Sequence, residues 1–369
     1  MKTNHKGLVK VTQETKIVPG ADAVQEANAA CGTDIVQETV TAWGADTVPG
    51  KKTVAKGSTP QRDKVVAVTV TFNRMQTLLK TLAALEAQAY PIQKIIIVDN
   101  HSDEANRQQL TALTEGKEHV DVLWMNENLG GAGGFEQGMR YAKEHYDPDW
   151  YWIMDDDAYP RRDTLEKLLY YKDLDNLGCL APLIWGVDWQ RYQLYHHKTL
   201  RRFYTIDQAK FSGVEEMNAV EEIDADAFVG TLFPAGVVRE VGFPEGGLFI
   251  YGDDTEYTAR IRRKFRIYLI RDAVIEHNDP PIANAVFSPK TYWKLYYTIR
   301  NKLLVAKKYN RGIRKTVAVF LLLGHSLWQL AYSLVRRGLG KSRFLRMKYV
   351  LKGTIDGLAG KMGKTVEPM

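Results

Sequence analysis

The stretch KVVAVTVTFNRMQTLLKTLAALEAQAYPIQKIIIVDNHSD, residues 64–103, decides the fold class. It opens on an apolar run, VVAVTVTF (65–72), passes through an amphipathic segment around Met75–Ala87, and closes on a second apolar run, IIIVDN (95–100). Short β-branched runs of this kind read as buried strands, and the segment between them has helical periodicity. The pattern then repeats. VDVLWMN (120–126) and WYWIMDDD (150–157) are further apolar runs ending in polar residues, with helical segments near Asp103–Thr114 and Phe135–Glu144. Strand–helix alternation at this spacing predicts an α/β fold, a mostly parallel sheet flanked by helices. Ligands of such sheets collect at the carboxyl ends of the strands. Those ends carry Thr71 and Asn73, Asp99 and Asn100, Asn126 and Asn128, and Asp155–Asp157.

Outward from this core the chain changes character. Residues 1–62 are rich in Thr, Val, Ala and Gly and carry a weak twelve-residue repeat, Gly20-x-Asp22-x-Val24, Gly32-x-Asp34-x-Val36 and Gly44-x-Asp46-x-Val48. Each unit has too few large apolar residues to bury a core, which predicts a disordered tail. Residues 178–280 read as shorter strands and turns, with RIYLI and AVIEH as two strands and GDDTEYTARIRRK as a helix opened by acids. Beyond Pro289 the chain turns helical, and three regions follow: a tail over 1–62, an α/β domain over 63–289 and a basic helical region over 290–369. Within the last, Thr316–Val335 has the length of a bilayer span, about twenty residues. It also contains His325, Ser326, Gln329 and Ser333, so a helix buried in protein or lying at a lipid interface is expected rather than a span.

Composition narrows the class. The 369 residues are 45% hydrophobic and 25% charged, which excludes a disordered or collagen-like chain. Two cysteines, Cys31 and Cys179, exclude a disulfide framework and Cys-rich zinc sites, and suggest a reducing compartment. The opening MKTNHKGLVK lacks the apolar stretch of a secretory signal, so a cytosolic location is expected. The net charge of +6 hides an asymmetry: residues 290–369 hold 18 Lys and Arg against only Asp356 and Glu367. An acidic body with a basic tail points to a polyanionic surface as partner, lipid or nucleic acid. No nucleic-acid reading motif is present, which favours lipid.

Three clusters could carry chemistry. In an extended chain Asp155 and Asp157 point the same way and can approach one hard cation, with phosphates completing its shell. Alternatively the triplet caps the helix that begins near Pro160–Asp163. Asn128-Leu-Gly-Gly-Ala-Gly-Gly-Phe135 is a strand-to-helix turn whose glycines and free N–H groups suit a phosphate, or simply a tight turn. Asp253-Asp254-x-Glu256 opens a helix, and a carboxylate there serves either as a general base or as a cap. His277 ends an apolar strand; a lone His is more often structural than a ligand.

These pieces together resemble the catalytic domain of family 2 glycosyltransferases, inverting nucleotide-sugar enzymes with a GT-A fold. TFNR (71–74), IVDNHSD (97–103), NLGGAGGF (128–135), DDD (155–157), GDDTEY (252–257) and EH (276–277) run in family order, and three of them are closest to galactofuranosyltransferases. The resemblance implies a metal-dependent transfer, with Asp155, Asp157 and His277 holding Mn²⁺ or Mg²⁺. It implies Asp254 as the base. Thr71, Asn73, Arg74 and Asp99 would hold the uracil and ribose of a UDP-type donor, with Asn128, Gly130, Gly131, Asp155 and Asp156 also lining the nucleotide-sugar site. Gly252 stands where galactofuranosyltransferases tend to carry Trp, which leaves the acceptor subsite and the donor sugar open. A rhamnosyltransferase using dTDP-rhamnose and a non-catalytic membrane scaffold are the competing readings. Tyr297 and the pair Arg300-Asn301 also resemble a motif of bacterial members, without an assigned role. The resemblance further implies a lipid-linked or glycan acceptor, peripheral attachment to the inner face of the cell membrane through the basic region, and a possible homo-oligomer.

Overall fold

The computed structural model describes residues 62–200, 207–278, 288–336 and 338–367; the predicted disordered tail lies outside them apart from its last residue. The expected alternation is present from the first strand. In order come β1 (Val65–Thr71), α1 (Met75–Glu86), β2 (Lys94–Asp99), α2 (Glu104–Thr114), β3 (Val120–Trp124), α3 (Gly130–Tyr146) and β4 (Trp150–Asp155). Strands β3, β2, β1 and β4 lie side by side and parallel. Side chains of β1 alternate between two cores, Val65 and Ala67 on one face of the sheet and Val66 and Val68 on the other. Helices cover both faces, which is why the run is apolar throughout rather than every second residue.

The second half holds the expected short strands; two of them pair as a separate small ribbon, and the others extend the first sheet. This half comprises β5 (Ala158–Pro160), α4 (Thr164–Tyr170), β6 (Leu177–Gly186), β7 (Arg191–Tyr192), β8 (Lys198–Leu200), β9 (Asp207–Ala209), β10 (Val220–Ile223), β11 (Val229–Pro234), α5 (Ala235–Val241), α6 (Asp253–Arg262) and β12 (Arg266–His277). Strand β11 runs antiparallel between β4 and β6, and β12 joins parallel to β6, so the same sheet continues across the molecule. The two strands predicted over 266–277 are one. The polar pair Arg271-Asp272 that seemed to separate them marks a register shift between Ile270 and Val274. Sheet continuity brings the end of β12 to the end of β4.

Helix α3 also departs from expectation: it starts at Gly130, inside the predicted turn, rather than near Phe135. The reason is packing. A Cβ on Gly134 would come within 2.5 Å of Val70 Cγ1, and one on Gly138, a turn later, within 2.4 Å of Val68 Cγ1. Glycine on this face lets α3 lie directly on β1.

Three helices close the chain: α7 (Tyr292–Tyr309), α8 (Gly312–Val335) and α9 (Ser342–Ala359). They share a small core of Ile299, Leu303, Ala318, Leu322 and Val350. One side of α8 enters that core, while Phe320 (74%), Trp328 (57%) and Val335 (77%) stay exposed. By length and composition α8 could cross a membrane, yet 28% of its most apolar window is buried in the protein.

Replacing Gly138 by Ala tests the α3–β1 contact. Helix propensity alone favours Ala by about 1 kcal/mol, whereas overpacking costs about 1–3 kcal/mol. A lower urea midpoint for Gly138→Ala is expected, and a higher one would contradict this packing.

Candidate active site

The ends of β4, β5 and β12 meet at a cavity of about 580 Å³ whose walls include Arg74, Gly131, Asp155, Asp157, Asp254 and His277. Thr71, Asn73, Asp99, Asn128, Gly130 and Asp156, also predicted for the site, do not line it. Asp155 ends β4, and Asp156 and Asp157 form a turn before β5, so their alignment does not come from strand alternation. Nor does the triplet cap α4, whose N-cap is Asp163.

The three acids have different surroundings. Asp156 turns inward, accepting from the Thr71 hydroxyl at 2.7 Å and pairing with Arg74 Nη1 at 3.1 Å. Asp157 pairs with Arg74 Nη2 through Oδ2. Its other oxygen, Oδ1, is buried without a hydrogen-bond partner and faces His277 Nε2 across 3.5 Å. Oxygens or nitrogens of Asp155, Asp157 and His277 lie within 4.8 Å of one another. An unpaired buried carboxylate oxygen beside a second acid and an imidazole nitrogen fits a divalent cation.

His277 is oriented by Gln193, which no local sequence pattern singles out. Nδ1 of His277 lies 2.9 Å from Gln193 Oε1, and both side chains are buried. An amide oxygen only accepts, so Nδ1 carries a proton, and Nε2, facing Asp157, is the ring nitrogen left to take up a proton or a cation. Gly186 makes room, since a Cβ there would meet Gln193 Nε2 at 2.7 Å. His196, on the same cavity wall, packs edge-on to the His277 ring at 5.6 Å. Burial, then the charge of His277, holds its pKa well below the usual histidine range.

Asp253 and Asp254 open α6, as predicted. Burial drives the Asp253 carboxyl well above the usual range, reinforced by Asp254 and then by Asp155. Asp254 Oδ1 accepts from the Thr255 N–H at 2.5 Å and from its hydroxyl at 3.1 Å. Lys198 Nζ donates to that hydroxyl at 2.6 Å. An ammonium only donates, so the Thr255 hydroxyl hydrogen is directed to Asp254. Glu256 also borders the cavity and joins α6 to α7 through Lys308 at 3.3 Å and the Tyr309 hydroxyl.

Apart from Gly131, the remaining predicted residues lie outside the cavity wall. Asp99 is fully buried and paired with Arg107 Nε at 2.7 Å. Asn73 has a φ of +56° and accepts from the Asp103 N–H at 2.8 Å. Asn100 Nδ2 donates to Asn128 Oδ1 at 3.1 Å and to the Gly130 carbonyl at 2.9 Å, fixing the turn into α3. Of the glycines in that turn, Gly131 alone borders the cavity, and a Cβ on it would meet nothing within 4 Å.

Acids and a histidine gather at the strand ends of a mixed sheet, and likeness to known proteins gives the class, a glycosyltransferase. The family model for glycosyl transferase family 2 matches residues 66–222. Galactofuranosyltransferase GlfT1 of Mycobacterium tuberculosis is 31% identical over 273 residues, covering 69% of this chain and 86% of that protein. The GlfT1 of Mycolicibacterium smegmatis is 32% identical over 203 residues, covering 54% of this chain and 65% of that protein's length. In structure, GalNAc-T7 with UDP, GalNAc and Mn²⁺ superposes with a TM-score of 0.55 at 13% identity, over 82% of this chain and 57% of that one, a likeness of fold. The chain belongs to glycosyltransferase family 2, close to the galactofuranosyltransferases, and its architecture is GT-A.

The acids make stability pH-dependent. Burial, then the neighbouring Asp157 charge, pushes the Asp155 carboxyl up to about 7. A folded-state value above the unfolded one near 3.8 contributes stability at low pH that is lost as pH rises through about 7. Asp155→Asn removes this term. In EDTA the variant is expected to melt above wild type at pH 8 and level with it near pH 4. A lower melting temperature for the variant at pH 8 would contradict the repulsion described here.

Proposed function

We propose that this glycosyltransferase transfers galactofuranose from UDP-galactofuranose, with inversion, to a lipid-linked or glycan acceptor in cell-surface glycan synthesis. The observation that carries the reading is the convergence of Asp155, Asp157 and His277, with Asp254 on the same cavity wall. The 31–32% identity to galactofuranosyltransferases favours this sugar.

In this reading Asp155 and Asp157, each with one oxygen, and His277 through Nε2 hold Mn²⁺ or Mg²⁺. When bound, the cation supplies positive charge beside the diphosphate, where negative charge builds as UDP departs. Gln193 keeps the imidazole in the ligating tautomer, as partners behind metal-bound histidines do. Arg74 neutralises part of the carboxylate charge. An acceptor hydroxyl is a weak nucleophile, so Asp254 takes its proton as the new bond forms. The Thr255 N–H and hydroxyl engage Oδ1 of Asp254, with Lys198 holding that hydroxyl, and none of these bonds uses Oδ2. Attack from the face opposite the departing UDP converts an α-linked donor into a β-galactofuranoside.

A donor panel with and without EDTA tests this. Turnover is expected with UDP-galactofuranose, dependent on Mn²⁺ or Mg²⁺, and reduced at least 100-fold by Asp254→Ala, within the range of about 10²–10⁴ for loss of a general base. Turnover with dTDP-rhamnose instead would replace the donor. A folded Asp254→Ala variant with full activity would remove the base.

The basic helical region is the proposed membrane surface, at the inner face of the cell membrane. Exposed Phe320, Leu327 and Trp328 of α8 and Phe344 of α9 offer apolar contact. Nearby Lys and Arg add about 1 kcal/mol each on anionic lipid. The protein is expected to float with phosphatidylglycerol vesicles and not with phosphatidylcholine vesicles, and Leu327→Glu with Trp328→Glu should release it. Equal recovery of wild type and variant from anionic vesicles would refute this docking.

A further inference from the structure

The segment that leads into Asp253 and Asp254 is strained. Phe249, Tyr251 and Gly252 have φ angles of +66°, +65° and +87°. Phe249, with ψ of −62°, is the centre of a γ-turn in which the Ile250 N–H donates to the Leu248 carbonyl at 2.8 Å. This turn is rare for an L-residue, and two aromatic residues at positive φ persist only where their surroundings over-determine them.

The over-determination comes from α7. Asn301 Nδ2 faces three carbonyls of the segment, Leu248 at 3.0 Å, Ile250 at 2.9 Å and Tyr251 at 2.8 Å. Arg300 Nη2 donates to the same Leu248 carbonyl at 2.8 Å. Arg300 Nε donates to Asn301 Oδ1 at 2.9 Å, which fixes the amide with its NH₂ towards the segment. Arg300 Nη1 reaches the Gly363 carbonyl at 2.6 Å, tying in the end of the chain. Arg300 is fully buried and pairs with no carboxylate among the described residues; its charge rests on carbonyls and on the Tyr297 ring at 4.7 Å. Burying an arginine this way is unfavourable unless its donors are needed where they are. From the opposite side, the Ala132 N–H donates to the Phe249 carbonyl at 3.1 Å. A Cβ on Gly130 would lie 2.0 Å from that carbonyl oxygen.

We propose that Arg300 and Asn301 are positioning residues that hold residues 248–252 in this conformation and thereby set Asp254 at the cavity. The role rests on the reading of Asp254 as the base. It gives the C-terminal helices a part in the reaction separate from membrane contact.

Full-length Asn301→Ala and Arg300→Lys are compared with wild type by hydrogen–deuterium exchange, and by kcat, donor and acceptor KM and Mn²⁺ affinity. Expected is exchange at least tenfold faster in peptides covering 248–258. With it, kcat should fall 10- to 100-fold while both KM values and the Mn²⁺ affinity stay within about threefold. If Asn301→Ala does not fold, Arg300→Lys, which keeps the charge and loses the fork, carries the test. Unchanged exchange overturns the clamp without any assay of turnover. Wild-type kcat with a loosened segment, or a defect confined to acceptor KM, overturns the positioning role. Full activity of Asp254→Ala overturns the base assignment alone, and the exchange result then still judges the clamp.

Discussion

Negative charge crowded at one cavity is the constraint around which this molecule is arranged. Asp155 and Asp157 end one part of the sheet, and Asp253 and Asp254 arrive on a helix about a hundred residues later, yet all four border the same space. Like charges at short range in a poorly solvated site repel strongly, and a protein meets that cost by protonation, by counter-charges, or by a bound cation. Burial raises the Asp155, Asp156 and Asp253 carboxyls. Burial also acts to raise Asp157, but His277 and Arg74 outweigh it and hold this carboxyl low. The uneven division leaves Asp157 ionised, with one oxygen paired to Arg74 and the other unsatisfied. That electrostatic cost is what the proposed divalent cation would relieve.

How much of this the sequence disclosed depended on whether a signal was local. Strands β1, β2 and β4 were legible because both faces of each are buried, so their apolar runs are unbroken; β3, at the sheet edge, is half-buried and interrupted by Asp121. The acids were legible because they fall where those runs stop. His277 could be paired with Asp155 and Asp157 only through resemblance, since nothing in the local pattern says that β12 returns to β4. Gln193 was not legible at all. It lies 84 residues before His277, in a stretch without periodicity, and only the register of β6 and β7 brings it there. The break between RIYLI and AVIEH misled for a physical reason: a polar pair at a register shift and a polar pair at a turn look alike in one dimension.

The glycine-rich stretch after β3 shows the same limit. Glycines at a helix start permit close approach of backbone to something, and the sequence does not say to what. Gly131 borders the cavity, as a ligand loop would. Gly134 instead admits a valine of β1, and Gly130 admits the carbonyl of Phe249. Most of the stretch therefore serves packing: it lets α3 settle on the sheet and lets the segment before Asp253 settle on α3.

The C-terminal helices have a buried and an exposed side with different chemistry. Asp356, one of only two acids in residues 290–369, is buried beside Lys352, Lys361 and the Tyr296 hydroxyl. Those contacts hold its carboxyl at about 2, so it stays ionised, yet its charge is spent inside the helical region. The other acid, Glu367, is exposed but paired with Lys364 at 2.8 Å, so the unpaired charges that face outward are basic among the described residues. Ile313, Val317, Phe320 and Leu327 are exposed along α8 at helical spacing, with Arg314 and Lys315 beside them. Pairing two copies through this face would bring two positively charged surfaces together, at a Coulombic cost that apolar contact must first offset. An anionic lipid surface meets both features at once, which is why charge, more than hydrophobicity, decides between self-association and the proposed membrane contact.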